Sequence, residues 1–219
     1  MTDTSISIDS VVRTLTESRV STYVNAIEGE CVEKAIVLYG WNGQISAALL
    51  WPLHVCEVVT RNAVHEVFTI EYGDCWPWNR NFELSLPNPS RGYNPRADLI
   101  NSRRGKTSAG KVIPELKFVF WQKTFTRRND VRLWDPHILA LFPYHPKGIG
   151  VSEFRLNIYD TLESIRLLRN RIAHHEPIFS RDLESDFKKI QSLLSYRCVD
   201  SNKWMMTVES VTQILSRRP

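Results

Sequence analysis

The sequence has no long apolar segment and no paired cysteines, and each absence narrows the class of protein. No apolar run in the 219 residues approaches the roughly 20 residues that cross a bilayer. The first ten residues, MTDTSISIDS, lack the basic and apolar regions of a signal peptide. The four cysteines are scattered, with no C-x2-C pair, which is typical of reduced thiols. We therefore expect a cytoplasmic protein that has no membrane partner.

The sequence also lacks the spacing of a metal site or of a nucleotide-hydrolysing site. Four candidate metal ligands lie in neighbouring segments, but no ligand motif relates them: His54, Cys56, His65 and Cys75. The segment Gly105-x4-Gly110-Lys111 comes close to a phosphate-binding P-loop, yet Val112 replaces the Ser or Thr that binds Mg²⁺. The sequence therefore implies no metal and no cofactor.

The composition is that of a globular protein with a modest basic surplus. Hydrophobic residues make up 42% and charged residues 24% of the chain, and the net charge is +4. Nine Lys and Arg residues lie between positions 101 and 132, opposed only by Glu115 and Asp130. Such a segment either attracts a polyanion or forms a solvated face. The candidate RNA-binding residues in it are Arg103, Arg104, Lys106, Lys111, Arg127 and Arg128.

A helix is predicted for residues 151–173, with Ser152 as its N-cap. Its apolar residues recur at intervals of 4, 4, 3, 3 and 4, which is the period of one buried stripe. They are Phe154, Ile158, Leu162, Ile165, Leu168 and Ile172. Asn170 and His174 share one face of this helix, and His175 points about 100° away. Arg169 lies on the flank, from which its long side chain can reach toward Asn170 and His174.

Arg169, Asn170 and His174 combine three groups that suit phosphate chemistry. An arginine binds a phosphate or stabilises the charge that develops on it. A histidine gives or takes a proton near neutral pH. RNA brings its own nucleophile, the 2′-OH. This set predicts metal-free transesterification that leaves a cyclic phosphate, although Arg and His at a helix end also serve as capping residues.

Residues 168–178, LRNRIAHHEPI, resemble the Arg-x4–6-His motif of the HEPN superfamily as it occurs in Abi-like (abortive infection) proteins. The resemblance continues in residues 18–26, 37–42, 57–64, 110–121 and 133–134, in the order that the family has them. Arg169, Asn170 and His174 match the motif, and His175 matches only a longer spacing. Residues 57–64 match the family's Glu-x3-Arg-Asn helix through Glu57, Arg61 and Asn62.

This resemblance implies an all-α, HEPN-like helical bundle in which two copies pair their motifs at one cleft. It implies RNA as the substrate of active members, a role in toxin–antitoxin or phage-defence biology, and an antitoxin or other defence partner. Catalytic roles fall to Arg169, Asn170 and His174, and a supporting role to His175. Two alternatives remain: a non-catalytic RNA-binding module, and a scaffold or antitoxin-bound subunit in which the motif only stabilises the helix and the dimer.

Other segments predict one all-α domain over residues 1–219, with an irregular insertion at about 73–111. Further helices are expected at residues 9–27, 30–39, 42–72, 112–126, 133–142, 180–196 and 202–216. The third of them is expected to run through residues 42–72 unless Pro52 breaks or kinks it near its start. Glu57 and Arg61 are one turn apart and can pair. Arg61, Asn62 and His65 form a second Arg-Asn-His group, interpreted as structural or site-supporting.

Overall fold

The computed structural model describes residues 6–219, which form an all-α protein, as predicted. No strand occurs in this part of the chain. Its α-helices are α1 (Ile8–Leu15), α2 (Glu17–Val24), α3 (Val32–Tyr72), α4 (Arg80–Ser85), α5 (Pro95–Ser102), α6 (Ala109–Val112), α7 (Phe118–Thr124), α8 (Asp135–Leu141), α9 (Val151–Ala173), α10 (Leu183–Arg197), α11 (Val199–Val208) and α12 (Val211–Leu215).

The central element is α3, a single helix of 41 residues that contacts α2, α7, α9, α10 and α12. The prediction of separate helices at 30–39 and 42–72 is wrong, because α3 continues through Gly40 and Pro52. Proline removes one helical hydrogen bond and costs about 3 kcal/mol in a helix interior. Pro52 is buried, and burial of α3 against several neighbours offsets this local cost.

The N-terminal helix predicted for residues 9–27 is two helices, α1 and α2. Thr16 separates them with a φ of 72°, a left-handed conformation that a helix cannot contain. The hydrophobic period runs through this break, so the pattern alone gave no sign of it.

The four cysteines form no disulfide, and burial raises the pKa of the Cys56 thiol to about 12.

Residues 73–150 fold as short helices around an aromatic cluster. The irregular insertion predicted at about 73–111 is wrong for Trp76–Trp78, which is a 3-10 turn, and for the helices α4 and α5, whereas residues 86–94 contain no helix. The single helix predicted at 112–126 is instead α6, a 3-10 turn at Ile113–Glu115 and α7. The π-helical turn Asp130–Trp134 leads into α8. The cluster contains Phe68, Tyr72, Trp76, Phe82, Phe120 and Trp121.

Helix α9 begins and ends at the predicted residues, and all six members of its apolar stripe are buried. Its N-cap is Gly150 rather than Ser152. Helix α10 begins at Leu183, later than predicted, because the Asp182 carboxylate caps it by accepting the Ser185 N–H at 2.9 Å. The helix predicted at 202–216 is split into α11 and α12, and Trp204 on α11 is 54% exposed.

The buried side chains of α2 to α12 form one hydrophobic cluster that extends from Tyr23 on α2 to Val211 on α12. In the part of the chain that the structure describes, no helix is both long enough and apolar enough to span a membrane. Helix α9 packs on α3 so that its C-terminal turns lie along the outer face of the longer helix. The motif residues therefore sit at the surface where these two helices meet.

Candidate functional site

The motif ends in a Schellman turn that closes α9. The His174 N–H donates to the Asn170 carbonyl at 2.9 Å, the His175 N–H to Ile172 at 3.0 Å, and the Glu176 N–H to Arg171 at 2.8 Å. His175 occupies the left-handed position, with a φ of 55°, where glycine is the usual residue. Both His174 and His175 are exposed at this turn, so their imidazoles are accessible from solvent.

Contacts from α2 and α3 hold the turn and the segment that follows it. The Arg19 guanidinium on α2 donates to the His175 carbonyl, and its Nε lies 3.4 Å from the Tyr39 hydroxyl. The buried Asn42 side chain on α3 accepts the N–H groups of Ile178 at 2.8 Å and Phe179 at 3.1 Å. The position of the two histidines is therefore set by tertiary contacts as well as by the helix end.

A cavity of about 730 Å³, here called the histidine cavity, opens between α2, α3 and this turn. Its polar wall is provided by Arg19, Tyr39, Ser46, His174, His175 and Glu176. Its apolar wall on α3 includes Ala47 and Leu50, and the Leu50 side chain is 54% exposed. The cavity thus places two imidazoles and one guanidinium around a space that a polar substrate group can enter.

A second cavity of about 230 Å³, here called the basic cavity, lies between α7 and α9. Its six lining residues are Lys117, Phe118, Val119, Arg166, Arg169 and Asn170, none of them acidic. Arg166 binds Glu163 through two hydrogen bonds of 2.9 and 2.6 Å, which raise the pKa of Arg166 and lower that of Glu163. Three cations and an amide around a small space form a favourable site for a phosphate.

Glu57 connects Arg169 to α3. The expected ion pair between Glu57 and Arg61 is present, and the Arg169 Nε lies 3.9 Å from the second Glu57 oxygen. Arg61 is mostly buried and Arg169 is 45% exposed. Asn62, the remaining residue of the Glu-x3-Arg-Asn sequence, is exposed on α3. Glu57 and Arg61 therefore support the arginine of the motif from the neighbouring helix.

Within one chain, the motif residues line two separate cavities rather than a single shared cavity. Arg169 and Asn170 line the basic cavity, whereas His174 and His175 line the histidine cavity. Five helical residues turn through about 500°, which leaves Arg169 and His174 about 140° apart around the axis. The neighbouring Glu57 carboxylate also attracts the Arg169 side chain toward α3. The sequence predicted that the Arg169 side chain reaches toward His174. Within one chain the Arg169 side chain instead lies beside Glu57.

The basic segment 101–132 divides among several environments. Arg103 is paired with Glu83 and donates to the Pro77 carbonyl, which stabilises the fold, and Lys106 forms a surface ion pair with Glu115 at 2.6 Å. Arg104 and Lys111 are exposed. Arg127 and Arg128 line a third cavity, apart from the motif. The predicted polyanion-binding residues consequently do not form one continuous surface beside the motif.

Four residues near the motif were not singled out by sequence reasoning as site residues: Arg19, Tyr39, Lys117 and Arg166. Arg166 precedes Arg169 by three residues on a helix, so helical spacing could have found it. Arg19 and Tyr39 lie more than 130 positions before His175 in the sequence, and no local pattern connects them.

His65, the histidine of the second Arg-Asn-His group, has a structural role. The Trp76 Nε1–H donates to the His65 Nδ1 at 2.9 Å, and burial lowers the pKa of this imidazole. A neutral ring is required, because a protonated Nδ1 could not accept that hydrogen bond. His65 therefore holds the aromatic cluster against α3.

Within residues 6–219, no group of three or more His, Cys, Asp or Glu side chains is arranged to hold a metal ion. No family model, no curated protein and no solved structure matches the chain. The resemblance to HEPN proteins accordingly rests on the motif and on the order of the other matching segments, and it remains a prediction.

Proposed function

We propose that this protein is a metal-independent endoribonuclease of the HEPN type, acting in toxin-type or abortive-infection defence. The observation that carries the proposal is the placement of the motif at the end of α9. Exposed imidazoles lie on one side of the helix end, and an arginine-rich cavity without acids lies on the other. These are the proton-transfer group and the phosphate-binding group that the reaction requires.

In the proposed reaction, the neutral His174 imidazole removes the proton of a ribose 2′-OH. The 2′-oxygen then attacks the adjacent phosphorus, and the bond from phosphorus to the 5′-oxygen breaks. A protonated imidazole returns a proton to the departing 5′-oxygen, leaving a 2′,3′-cyclic phosphate and a 5′-hydroxyl. Arg169 stabilises the charge on the phosphorane, and Asn170 donates to a phosphate oxygen.

A pair of chains completes this site in the proposal. One chain directs Arg169 and His174 into different cavities, so an arginine from one copy and a histidine from the other would meet at the scissile phosphate. The outer face of α3 beside the motif favours such a pairing, because it exposes Leu50 (54%) and Val58 (36%). Exposed apolar side chains close to a functional surface are typical of an interface.

The test is cleavage of a mixed RNA pool in the presence of a chelator by the parent, His174→Ala and Arg169→Ala. Arg91→Ala serves as the control, since Arg91 is exposed in the loop before α5 and lines neither cavity of the motif. We expect cyclic-phosphate ends from the parent and the control, with rates at least about 100-fold lower for His174→Ala. Cleavage that stops when the chelator is added, or that survives His174→Ala, contradicts the proposal.

A non-catalytic RNA-binding module is the second candidate, favoured by one observation. The basic cavity contains three cations and no group that titrates near neutral pH, so it can hold a phosphate without cutting. RNA binding by the parent without cleavage, weakened by Arg169→Ala and unchanged by His174→Ala, supports this candidate. Loss of the fold or the dimer in both variants, without RNA binding by the parent, supports the scaffold or antitoxin-bound subunit instead.

A further inference from the structure

A third cavity, of about 540 Å³, is lined by the later residues of α7, whereas the basic cavity lies at the beginning of that helix. It is enclosed by the end of α4, the loop before α5, the C-terminal half of α7 and the turn that follows. Its apolar wall consists of Leu86, Pro87, Tyr93, Pro95 and Phe120. Its volume is within the range of small-molecule sites, about 300–1,000 Å³. We call it the tyrosine cavity.

Internal hydrogen bonds keep the walls of the tyrosine cavity in place. The Tyr93 hydroxyl donates to the Asp98 carboxylate at 2.7 Å, which fixes the ring in the cavity wall. On the opposite wall, the Asn129 side chain and the Trp134 indole donate to the Thr124 carbonyl at 2.7 and 2.8 Å. The cavity is therefore largely formed before a ligand enters, which reduces the entropic cost of binding.

All the charged residues that line the tyrosine cavity are cations: Lys123, Arg127 and Arg128. Arg128 donates to the Ser85 carbonyl at 2.9 Å, and the Lys123 Nζ donates to the Tyr159 hydroxyl on α9. The exposed Arg127 side chain forms no hydrogen bond or ion pair with any residue that the structure describes. An anion at the mouth would find this guanidinium available.

We propose that the tyrosine cavity binds a nucleoside monophosphate, with its base against Tyr93 and its phosphate on Arg127. The Tyr93 ring favours a flat base, since stacking on an aromatic side chain stabilises any base. The cationic rim favours the phosphate. Inorganic phosphate would leave the apolar wall uncovered, and an uncharged nucleoside would leave the rim unpaired.

This site is independent of cleavage at the motif, because none of its lining residues lines the histidine cavity or the basic cavity. The nucleotide has two conceivable sources with the same chemistry. It is either a free mononucleotide or one unit of a single-stranded RNA. Competition between the two distinguishes these sources.

The test is calorimetric titration of the full chain with AMP, adenosine and inorganic phosphate. We expect AMP to bind with a Kd on the order of 10 µM and the other two at least about tenfold more weakly. Arg127→Ala should weaken AMP binding at least about tenfold, as expected for loss of a charge-assisted hydrogen bond. Tyr93→Leu should weaken AMP binding and leave phosphate binding unchanged, and thermal unfolding should show that this variant folds.

Arg217→Ala is the matched control, because Arg217 is an exposed arginine after α12 that does not line the cavity. An uncleavable 2′-O-methyl hexaadenylate that displaces AMP identifies RNA as the source, and one that does not identifies the free nucleotide. Either result supports the site. Absence of AMP binding at millimolar concentration, equal binding of phosphate and AMP, or equal weakening by Arg217→Ala and Arg127→Ala would overturn the proposal.

Discussion

The Nε atom of Arg169 lies 3.9 Å from a carboxylate oxygen of Glu57, whose other oxygen binds Arg61 on the same helix. One carboxylate therefore serves two arginines of different exposure. Arg61 is 19% exposed, whereas Arg169 is 45% exposed. An exposed arginine at this distance is only weakly held, because water screens the pair. Arg169 can consequently exchange the carboxylate for a phosphate.

This arrangement predicts unequal coupling energies in two double-mutant cycles. Glu57→Gln should lower the free energy of unfolding by about 1–2 kcal/mol, chiefly because the mostly buried Arg61 loses its partner. Coupling of Glu57 to Arg61 should be about 1 kcal/mol, and coupling to Arg169 below about 0.5 kcal/mol. Urea unfolding of the single and double variants measures both values. Equal coupling to the two arginines would contradict a loosely held Arg169.

The Schellman turn predicts that His175→Gly stabilises the protein. His175 has a φ of 55°, a conformation that costs a residue with a Cβ atom roughly 1–2 kcal/mol. Glycine removes this cost but loses more entropy on folding, so the expected net gain is about 0.5–1 kcal/mol.

His174→Gly is the control for this prediction. His174 precedes the left-handed position and has a φ of −93°, which any residue adopts. Its replacement by glycine should not stabilise the protein. Thermal or urea unfolding compares the two variants, and a gain in both, or in neither, would show that backbone strain at His175 has no influence on stability.

Local periodicity explains why α9 was predicted with its observed bounds. A buried stripe of six apolar residues and a following proline define a helix by its own sequence. The same reasoning divided α3 between residues 39 and 42, because the burial that stabilises α3 as one helix comes from helices distant in the sequence. It also missed the break at Thr16, which is a single backbone angle without a signal in the pattern.

The site was predictable to the extent that it is encoded within one helix. Arg169, Asn170 and His174 were found by their spacing, as was the pairing of Glu57 with Arg61. The distribution of the motif between two cavities depends on the position of α9 against α3, and the approach of Arg19 to His175 depends on the docking of α2. Neither packing relationship is visible in a single sequence without knowledge of the tertiary contacts.

We predict that protonation of His65 makes the folded protein less stable as the pH falls. Burial lowers the pKa of His65 in the folded protein, whereas the unfolded chain has the ordinary value of about 6.5. The unfolded state therefore binds the proton more readily. The stability provided by the neutral ring is complete above about pH 6.5 and is lost as the pH falls below that value.

His65→Gln should make the free energy of unfolding less dependent on pH between 7.5 and 5, because glutamine keeps an acceptor that does not titrate. His54→Gln is the matched control, since His54 is exposed on the same helix and does not belong to the aromatic cluster. Urea unfolding at several pH values gives the slopes. An unchanged slope in His65→Gln would mean that protonation of His65 does not disrupt its bond with Trp76.

We predict that Asn42 on α3 holds in place the segment that follows the motif. Its side-chain oxygen is the acceptor for two buried amides, those of Ile178 and Phe179. Asn42→Ala leaves both without a partner and should lower the free energy of unfolding by about 2–3 kcal/mol. Gln44→Ala, an exposed change on the same helix, should cost less than about 0.5 kcal/mol.

Hydrogen exchange localises this effect. The amides of residues 178 and 179 should exchange faster in Asn42→Ala, even under conditions where the buried part of α9 stays protected. The His174–His175 turn is attached to this segment through only two residues, so its freedom should rise as well. If His174 acts in cleavage, Asn42→Ala should then lower the cleavage rate of the folded protein. Unchanged exchange at residues 178 and 179 would show that other contacts are sufficient to hold the turn.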